Sequence, residues 1–319
     1  MAQNKLVITV LKGILMGAAD VVPGVSGGTI AFITGIYEEL IKTIDKLDLG
    51  VLKSLGQHGF TATLKAYNLP FLIALLTGIA ISILSLAKLI TYLLATYPVH
   101  VWSFFFGLVL ASVWYIGSQI TKWNVAAIIM ILVGTAVSYY ITIAAPLGSP
   151  DSWWYIIFSG FVAIIAMILP GVSGAFLLLL LGSYETVLGS ITGFVEALLA
   201  GNWNAALGYF ATLVLFAVGC LLGLKMFSRV LTWLFTNYKN LTLALLTGFM
   251  LGSLNKLWPW KEVIETRANS RGEIVPFLEK SIAPSQVNGE PFLLWSISLM
   301  VIGFLLILML EKYASKKQH

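Results

Sequence analysis

Charged side chains are scarce in this 319-residue chain: Asp, Glu, Lys and Arg make up 10% of it, against 59% apolar residues and a mean hydropathy of +0.92. Soluble domains carry about a quarter charged residues, so the deficit excludes an ordinary soluble enzyme. Cysteine is nearly missing. Cys220 stands alone, which excludes an intrachain disulfide and a cysteine metal cluster. The three histidines (His58, His100, His319) are scattered and argue against a metal site. A phosphate loop of the G-x-x-x-x-G-K-[ST] type is lacking, which argues against direct ATP drive. The short alternating segments of a membrane barrel are also missing. Lys12 and Asp20 interrupt the first apolar stretch and no small-residue cleavage site follows, so no cleavable signal peptide is expected. No cofactor and no nucleic-acid partner are implied, and the net charge of +5 is better read through loop topology.

Long apolar runs are what the chain has in quantity. They fall at 6–41, 69–95, 101–118, 124–145, 153–199, 205–235, 241–258 and 292–311. A membrane helix needs roughly 20 apolar residues, so the expected fold is an all-α, polytopic membrane protein. The runs 6–41 and 153–199 are too long for one span, and each is broken by a Pro-Gly element.

Those two elements match each other. Residues 23–38 read PGVSGGTIAFITGIYE and residues 170–185 read PGVSGAFLLLLLGSYE, identical at eight of sixteen positions. A second block repeats as well: Gly78, Lys88, Thr91, Tyr97 and Gly107 answer to Gly219, Arg229, Thr232, Tyr238 and Gly248. The chain therefore reads as an internal duplication, with halves 1–147 and 148–319. Lys5 and Lys12 place the N-terminus in the cytoplasm, with the loop carrying Lys42, Lys46, Lys53 and Lys65, the turn at Lys239 and the tail with Lys312, Lys316 and Lys317. The loop 255–291 falls outside. Each half then holds one re-entrant hairpin plus three spans. An odd number of crossings inverts the second half, the architecture of carriers that present one site to two sides in turn. The stretch 42–65 mixes Lys and Asp with Leu, Val and Phe60 and reads as a surface-lying amphipathic helix.

Pro23, Gly24, Pro170 and Gly171 break the helices, because proline lacks an N–H and glycine takes backbone conformations that strain other residues. Such a break in hydrocarbon is tolerated where protein buries it or where it lines a polar cavity. Ser26 and Ser173 can cap the helices that follow. The exposed N–H groups at Gly27, Gly28, Thr29 and Gly174 then suit a phosphate or carboxylate. The simpler reading is a kink with glycines for close packing; its recurrence at matching positions of two halves favours the site. Lys88, Lys225 and Arg229 are candidate countercharges, with snorkelling to the interface as the alternative. Glu38 and Glu185, after the tyrosines, are candidates for carrying a coupling proton or sodium ion, or are interfacial helix-end carboxylates. Asp20 is a one-sided coupling candidate, since Met167 stands at its place in the second half.

The doubled Pro-Gly-Val-Ser-Gly, the preceding MGAAD at residues 16–20 and the Tyr-Glu ending resemble the polyprenyl-phosphate translocase (PopT) family, over nearly the whole chain. That resemblance implies a non-enzymatic flippase of the bacterial cytoplasmic membrane. It would return undecaprenyl phosphate, the lipid carrier of peptidoglycan and other envelope polymers, to the cytoplasmic leaflet. Two rivals stand beside it. Membrane undecaprenyl pyrophosphate phosphatases share inverted repeats and a Pro-Gly-x-Ser-Arg-Ser loop. Here Gly27 and Gly174 occupy that arginine's positions, and no clustered Glu-x-x-x-Glu pair is present. A carrier of a small soluble anion is the other.

Overall fold

Helix boundaries follow from local chemistry. Prolines in the first turn start α5 (Leu69–Thr96) and α6 (Pro98–Ser118). The side chains of Asn124 and Asn202 accept the N–H groups of Ala127 and Ala205, capping α7 (Val125–Ile143) and α11 (Trp203–Asn237). The computed structural model describes residues 2–22, 26–48, 50–144, 152–268, 274–287 and 289–315. Its remaining helices are α1 (Ala2–Asp20), α2 (Gly27–Ile33), α3 (Tyr37–Lys46), α4 (Gly50–Ala66), α8 (Trp153–Ile168), α9 (Gly174–Leu180), α10 (Tyr184–Leu199), α12 (Lys239–Leu257) and α13 (Leu293–Ser315). The expected breaks are therefore real interruptions of helix, at α1/α2 and at α8/α9. Pro23 and Gly24 lie outside the described residues.

The helices α5, α6, α7 and α11 are each long and apolar enough to cross a membrane, and α9 with α10 forms a pair bent by 106°. Much of the apolar surface of α7 and α11 faces outward, including Leu132, Val133, Leu221, Leu222 and Val230. That is the surface a bilayer would cover, and the chain is a polytopic, all-α membrane protein. The expected spans at 241–258 and 292–311 fall on α12 and α13. Helix α12 is among the most enclosed, burying Leu243, Ala244, Leu246, Met250 and Leu257 between its neighbours.

Helix pairing follows a matched pattern. Helix α1 packs on α5 as α8 packs on α11, and α6 packs on α13 as α12 packs on α7. Glycines make these approaches close, and they do so at equivalent places. Gly13 lies against the Leu75 carbonyl as Gly160 lies against that of Phe216, and Gly78 against Val10 as Gly219 against Ile157. Gly107 lies against Met300 as Gly248 lies against Ile131, and Gly134 against Leu245 as Gly303 against Phe104. The short helices α2 and α9 both end at a glycine with positive φ, Gly35 at 71° and Gly182 at 69°, where a side chain would strain the backbone.

The two ends of the bundle are chemically distinct. At one, Lys239 pairs with Glu38 at 2.9 Å and Asn240 accepts the Thr121 N–H at 2.8 Å. At the other, α12 leads into an antiparallel hairpin, β1 (Lys261–Ala268) and β2 (Ile274–Ser281), in register from Lys261 opposite Ser281. This hairpin occupies the stretch read from sequence as a long loop. Its charged alternation, Lys-Glu-Val-Ile-Glu-Thr-Arg-Ala, lacks the apolar face that marks a strand. The amphipathic stretch becomes two helices, α3 and α4, with a further kink at Gly59.

A Cβ at Gly107 would collide with the Met300 carbonyl, and one at Gly56 meets nothing within 4 Å. Gly107→Ala is expected to cost about 1–3 kcal/mol by overpacking, and Gly56→Ala to be neutral or to gain up to about 1 kcal/mol. Thermal unfolding in detergent should show a lower midpoint for the first alone.

Candidate functional site

The two breaks meet. Ending a helix leaves its last carbonyls and the next helix's first N–H groups without partners, and hydrocarbon supplies none. The second break finds them on the first. Ser26 Oγ donates to the Met167 carbonyl at 3.2 Å, and Tyr37 Oη donates to the adjacent Ile168 carbonyl at 3.2 Å. Thr29 Oγ1 accepts the Gly171 N–H at 3.1 Å. Ser26, Thr29 and Tyr37 are buried. Gly28 has no room for a side chain, since a Cβ there would stand 2.5 Å from the Ile168 carbonyl oxygen. Gly171, at φ +83°, turns the chain against the backbone of Met250.

Within each break a serine caps the short helix. Ser26 Oγ accepts the Gly28 N–H at 3.1 Å, and Ser173 Oγ accepts that of Phe176 at 3.4 Å. The first short helix is also held by charge at both ends. The Asp20 carboxylate accepts the Gly27 N–H at 2.6 Å, and Lys12 Nζ donates to the Thr34 carbonyl at 2.5 Å. Eight residues of α1 rise about 12 Å and the seven of α2 about 10 Å, so one helix brackets the other with an anion at its N-terminus and a cation at its C-terminus. In the second half the corresponding Leu181 carbonyl is met by the neutral Tyr155 hydroxyl at 2.8 Å.

A cavity of about 240 Å³ lies between the breaks. Asp20 and Ser26 line it from the first, Met167, Ser173 and Gly174 from the second, and Phe216 and Cys220 from α11. Its walls are mostly apolar, and Asp20 is the charged residue among them. A wider groove of about 630 Å³ runs along α4 past Lys46, Lys53 and His58. It is more open and touches neither break, so the cavity between the breaks is the better candidate.

The cationic candidates lie elsewhere. Lys225 donates to the Asp45 carbonyl and pairs with that residue's carboxylate at 3.9 Å, tying α11 to α3. Arg229 is exposed on α11. Lys88 lies on α5, and its side chain is outside the described residues. Glu38 sits between Lys42 at 3.2 Å and Lys239 at 2.9 Å. Partial burial pushes its carboxyl up, but the two ammoniums outweigh that and hold it below the ordinary range. Glu185 is exposed in the first turn of α10. Of the residues singled out in the sequence, the structure thus brings Asp20, Ser26, Ser173 and Gly174 to one cavity, and Gly27, Gly28, Thr29 and Gly171 to the junction beside it. Sequence reasoning passed over Lys12 and Tyr37 as site residues. Lys12 was visible as a charge within an apolar run, and Tyr37 in the repeated Tyr-Glu pair.

The family model for the VCA0040-like, undecaprenyl phosphate translocase-like family matches residues 16–275. A polyprenyl-phosphate transporter of Vibrio cholerae serotype O1 is 44% identical over 312 residues, 97% of this chain and 97% of that protein. A polyprenyl-phosphate transporter of Staphylococcus aureus is 30% identical over 265 residues, 79% of this chain and 86% of that one. No solved structure matches. The chain belongs to the undecaprenyl phosphate translocase-like family.

Removing a hydroxyl at the junction strands a backbone group away from water. Tyr37→Phe and Ser26→Ala are each expected to cost about 1–3 kcal/mol. Because the two act on adjacent carbonyls, the double variant should depart from additivity by at least about 0.5 kcal/mol. Denaturant titrations of the four proteins in detergent measure both quantities.

Proposed function

From that membership we propose that the protein carries a polyprenyl phosphate, undecaprenyl phosphate in particular, between the leaflets of the bacterial cytoplasmic membrane. The observation that carries the reading is the cavity shared by two broken helices, with Ser26 and Ser173 both in its lining. An ionised phosphate moved through hydrocarbon without partners faces a Born penalty of order tens of kcal/mol. Hydroxyls and backbone N–H groups at the breaks would replace part of its water, while the prenyl tail stays among the lipid-facing helices.

The matched glycine contacts of α1/α5 with α8/α11, and of α6/α13 with α12/α7, support a duplication with halves near 1–147 and 148–319. On this reading the halves are inverted, the segments α1–α2 and α8–α9 are re-entrant, and rocking of one half against the other opens the cavity to each leaflet in turn. Both termini are cytoplasmic. On this reading Lys225 and Arg229, which do not line the central cavity, guide the headgroup along its path.

Asp20 gives the carrier its coupling. Its carboxylate already satisfies the Gly27 N–H, so it occupies the place a phosphate oxygen would take. Entry of the anion requires that carboxylate to withdraw or to be neutralised by a proton or a sodium ion.

The test uses purified protein in liposomes containing labelled undecaprenyl phosphate, with an impermeant reagent reporting headgroup exposure and released phosphate assayed in parallel. Faster exchange without phosphate release is the expected result. Phosphate release would instead make the protein a phosphatase, and the absence of both would favour a small-anion carrier. Asp20→Asn keeps an acceptor oxygen and removes the charge. It is expected to abolish the response of exchange to an imposed proton or sodium gradient while exchange itself persists. An unchanged gradient response would remove Asp20 from the coupling.

A further inference from the structure

Five elements converge at the hairpin end of the bundle on a small buried cluster of charge. Lys256 closes α12, Lys261 opens β1, and both reach one carboxylate of β2, Glu279 Oε2, at 3.0 Å and 3.5 Å. The side chains are 14%, 7% and 18% exposed respectively. Lys261 Nζ lies 3.7 Å above the centre of the Trp102 ring of α6, and Lys256 Nζ lies 5.0 Å from that of Phe176 on α9. Two cations thus share one anion where water is largely excluded. A buried charge normally has a matching partner, and this cluster keeps one positive charge in excess. Among the described residues the Lys261 ammonium, which is buried, has as neighbours for its three donors the Trp102 ring face and the Glu279 carboxylate at 3.5 Å, the longer of the two ion pairs. Burial pushes Lys261 down to about 8, against the raising pull of Glu279, so it is still charged near neutrality. Burial also acts to raise Glu279, but the two lysines outweigh it and hold the carboxyl below the ordinary range.

The cluster stands one helix away from the central cavity. Gly174, Ala175 and Leu178 line that cavity, whereas Phe176, Leu179 and Leu180, on the opposite face of α9, border the cleft that Lys256 and Glu279 close. Helix α9 is therefore a wall one helix thick between the two. It ends at Gly182, whose positive φ makes the 106° turn into α10. The cleft itself is almost closed, about 10 Å³, with the Glu279 side chain in its lining.

We propose that Lys256 and Lys261, over the rings of Trp102 and Phe176, form a second phosphate-binding site, which receives the phosphate monoester headgroup of the polyprenyl lipid on the hairpin side and where Glu279 holds the place of the anion until it arrives. The inference rests on the transport reading and deepens it. A phosphomonoester can accept several charge-assisted hydrogen bonds where Glu279 presents one oxygen to two ammoniums. Its second negative charge would also neutralise the surplus. The aromatic rings and the outer face of α9 then offer the first prenyl units an apolar seat.

Binding of farnesyl phosphate to the purified full-length protein in detergent, measured by calorimetry, tests this, with farnesol and inorganic phosphate as controls. Glu279→Gln removes the competing charge and is expected to tighten binding about tenfold, whereas Lys261→Met is expected to weaken it about tenfold. Opposite signs are the signature, because a merely structural cluster would suffer from both changes alike. If Glu279→Gln does not fold, Lys261→Met still decides, since it leaves the Lys256–Glu279 pair intact; unchanged affinity would overturn the site. Inorganic phosphate binding as tightly as farnesyl phosphate would overturn the lipid assignment. Wild-type protein that exchanges undecaprenyl phosphate while both variants bind farnesyl phosphate unchanged would overturn this inference alone. Failure of the wild-type protein to bind or exchange either lipid would overturn the transport reading with it.

Discussion

A helix broken inside a membrane has to find partners for the backbone groups it releases, and this structure depends on how that requirement is met. Hydrocarbon offers none, and an unpartnered amide costs several kcal/mol. Ser26, Thr29 and Tyr37 of the first break meet Met167, Ile168 and Gly171 of the second. The breaks are thereby obliged to lie together, and the cavity between them follows from that contact. A fold with a single broken helix would have to bury the break in unrelated side chains. Two breaks can satisfy each other.

The second constraint is closeness. Three hydroxyl contacts spanning the two halves tolerate little error in where α1 and α8 stand, and these helices are set by their glycine-mediated packing on α5 and α11. The pairs α6/α13 and α7/α12 then each join one helix from either side of the chain's midpoint. This arrangement surrounds a cavity lined on one side by α9, which is seven residues long and is followed by Gly182 at φ +69°.

Much of this was legible beforehand, and the reasons are physical. Pro-Gly breaks leave an unmistakable mark in an apolar run, and a repeat of eight matches in sixteen residues declares the second copy. Serine caps follow from position alone, and both Ser26 and Ser173 are caps. What sequence could not show is which charges meet. Lys225 sits on an apolar helix and invites a role at the centre, yet its partner is Asp45, 180 positions away on an amphipathic helix. The hairpin was hidden for a related reason. Its strands, KEVIETRA and IVPFLEKS, show no regular alternation of apolar and polar residues, and the charges that matter, Lys261 and Glu279, gain their meaning only when α6, α9 and α12 close over them.

The two halves also differ in a way their likeness makes informative. At the C-terminal end of the short helix one half uses the cation of Lys12 and the other the neutral hydroxyl of Tyr155. At the N-terminal end Asp20 faces Gly27, and its counterpart position is Met167. A carrier only equilibrates its lipid, whether or not its two facing states differ in energy, unless one step of the cycle is coupled to an ion gradient. On the proposed reading Asp20, present at the first break alone, supplies that coupled step. A carboxylate that must be neutral or displaced in one state, and ionised in the other, is worth about 1.4 kcal/mol for every unit of pH difference acting on it. On the proposed reading, net direction is therefore set at the first break, while the second, with Ser173, supplies a neutral mate for the central site.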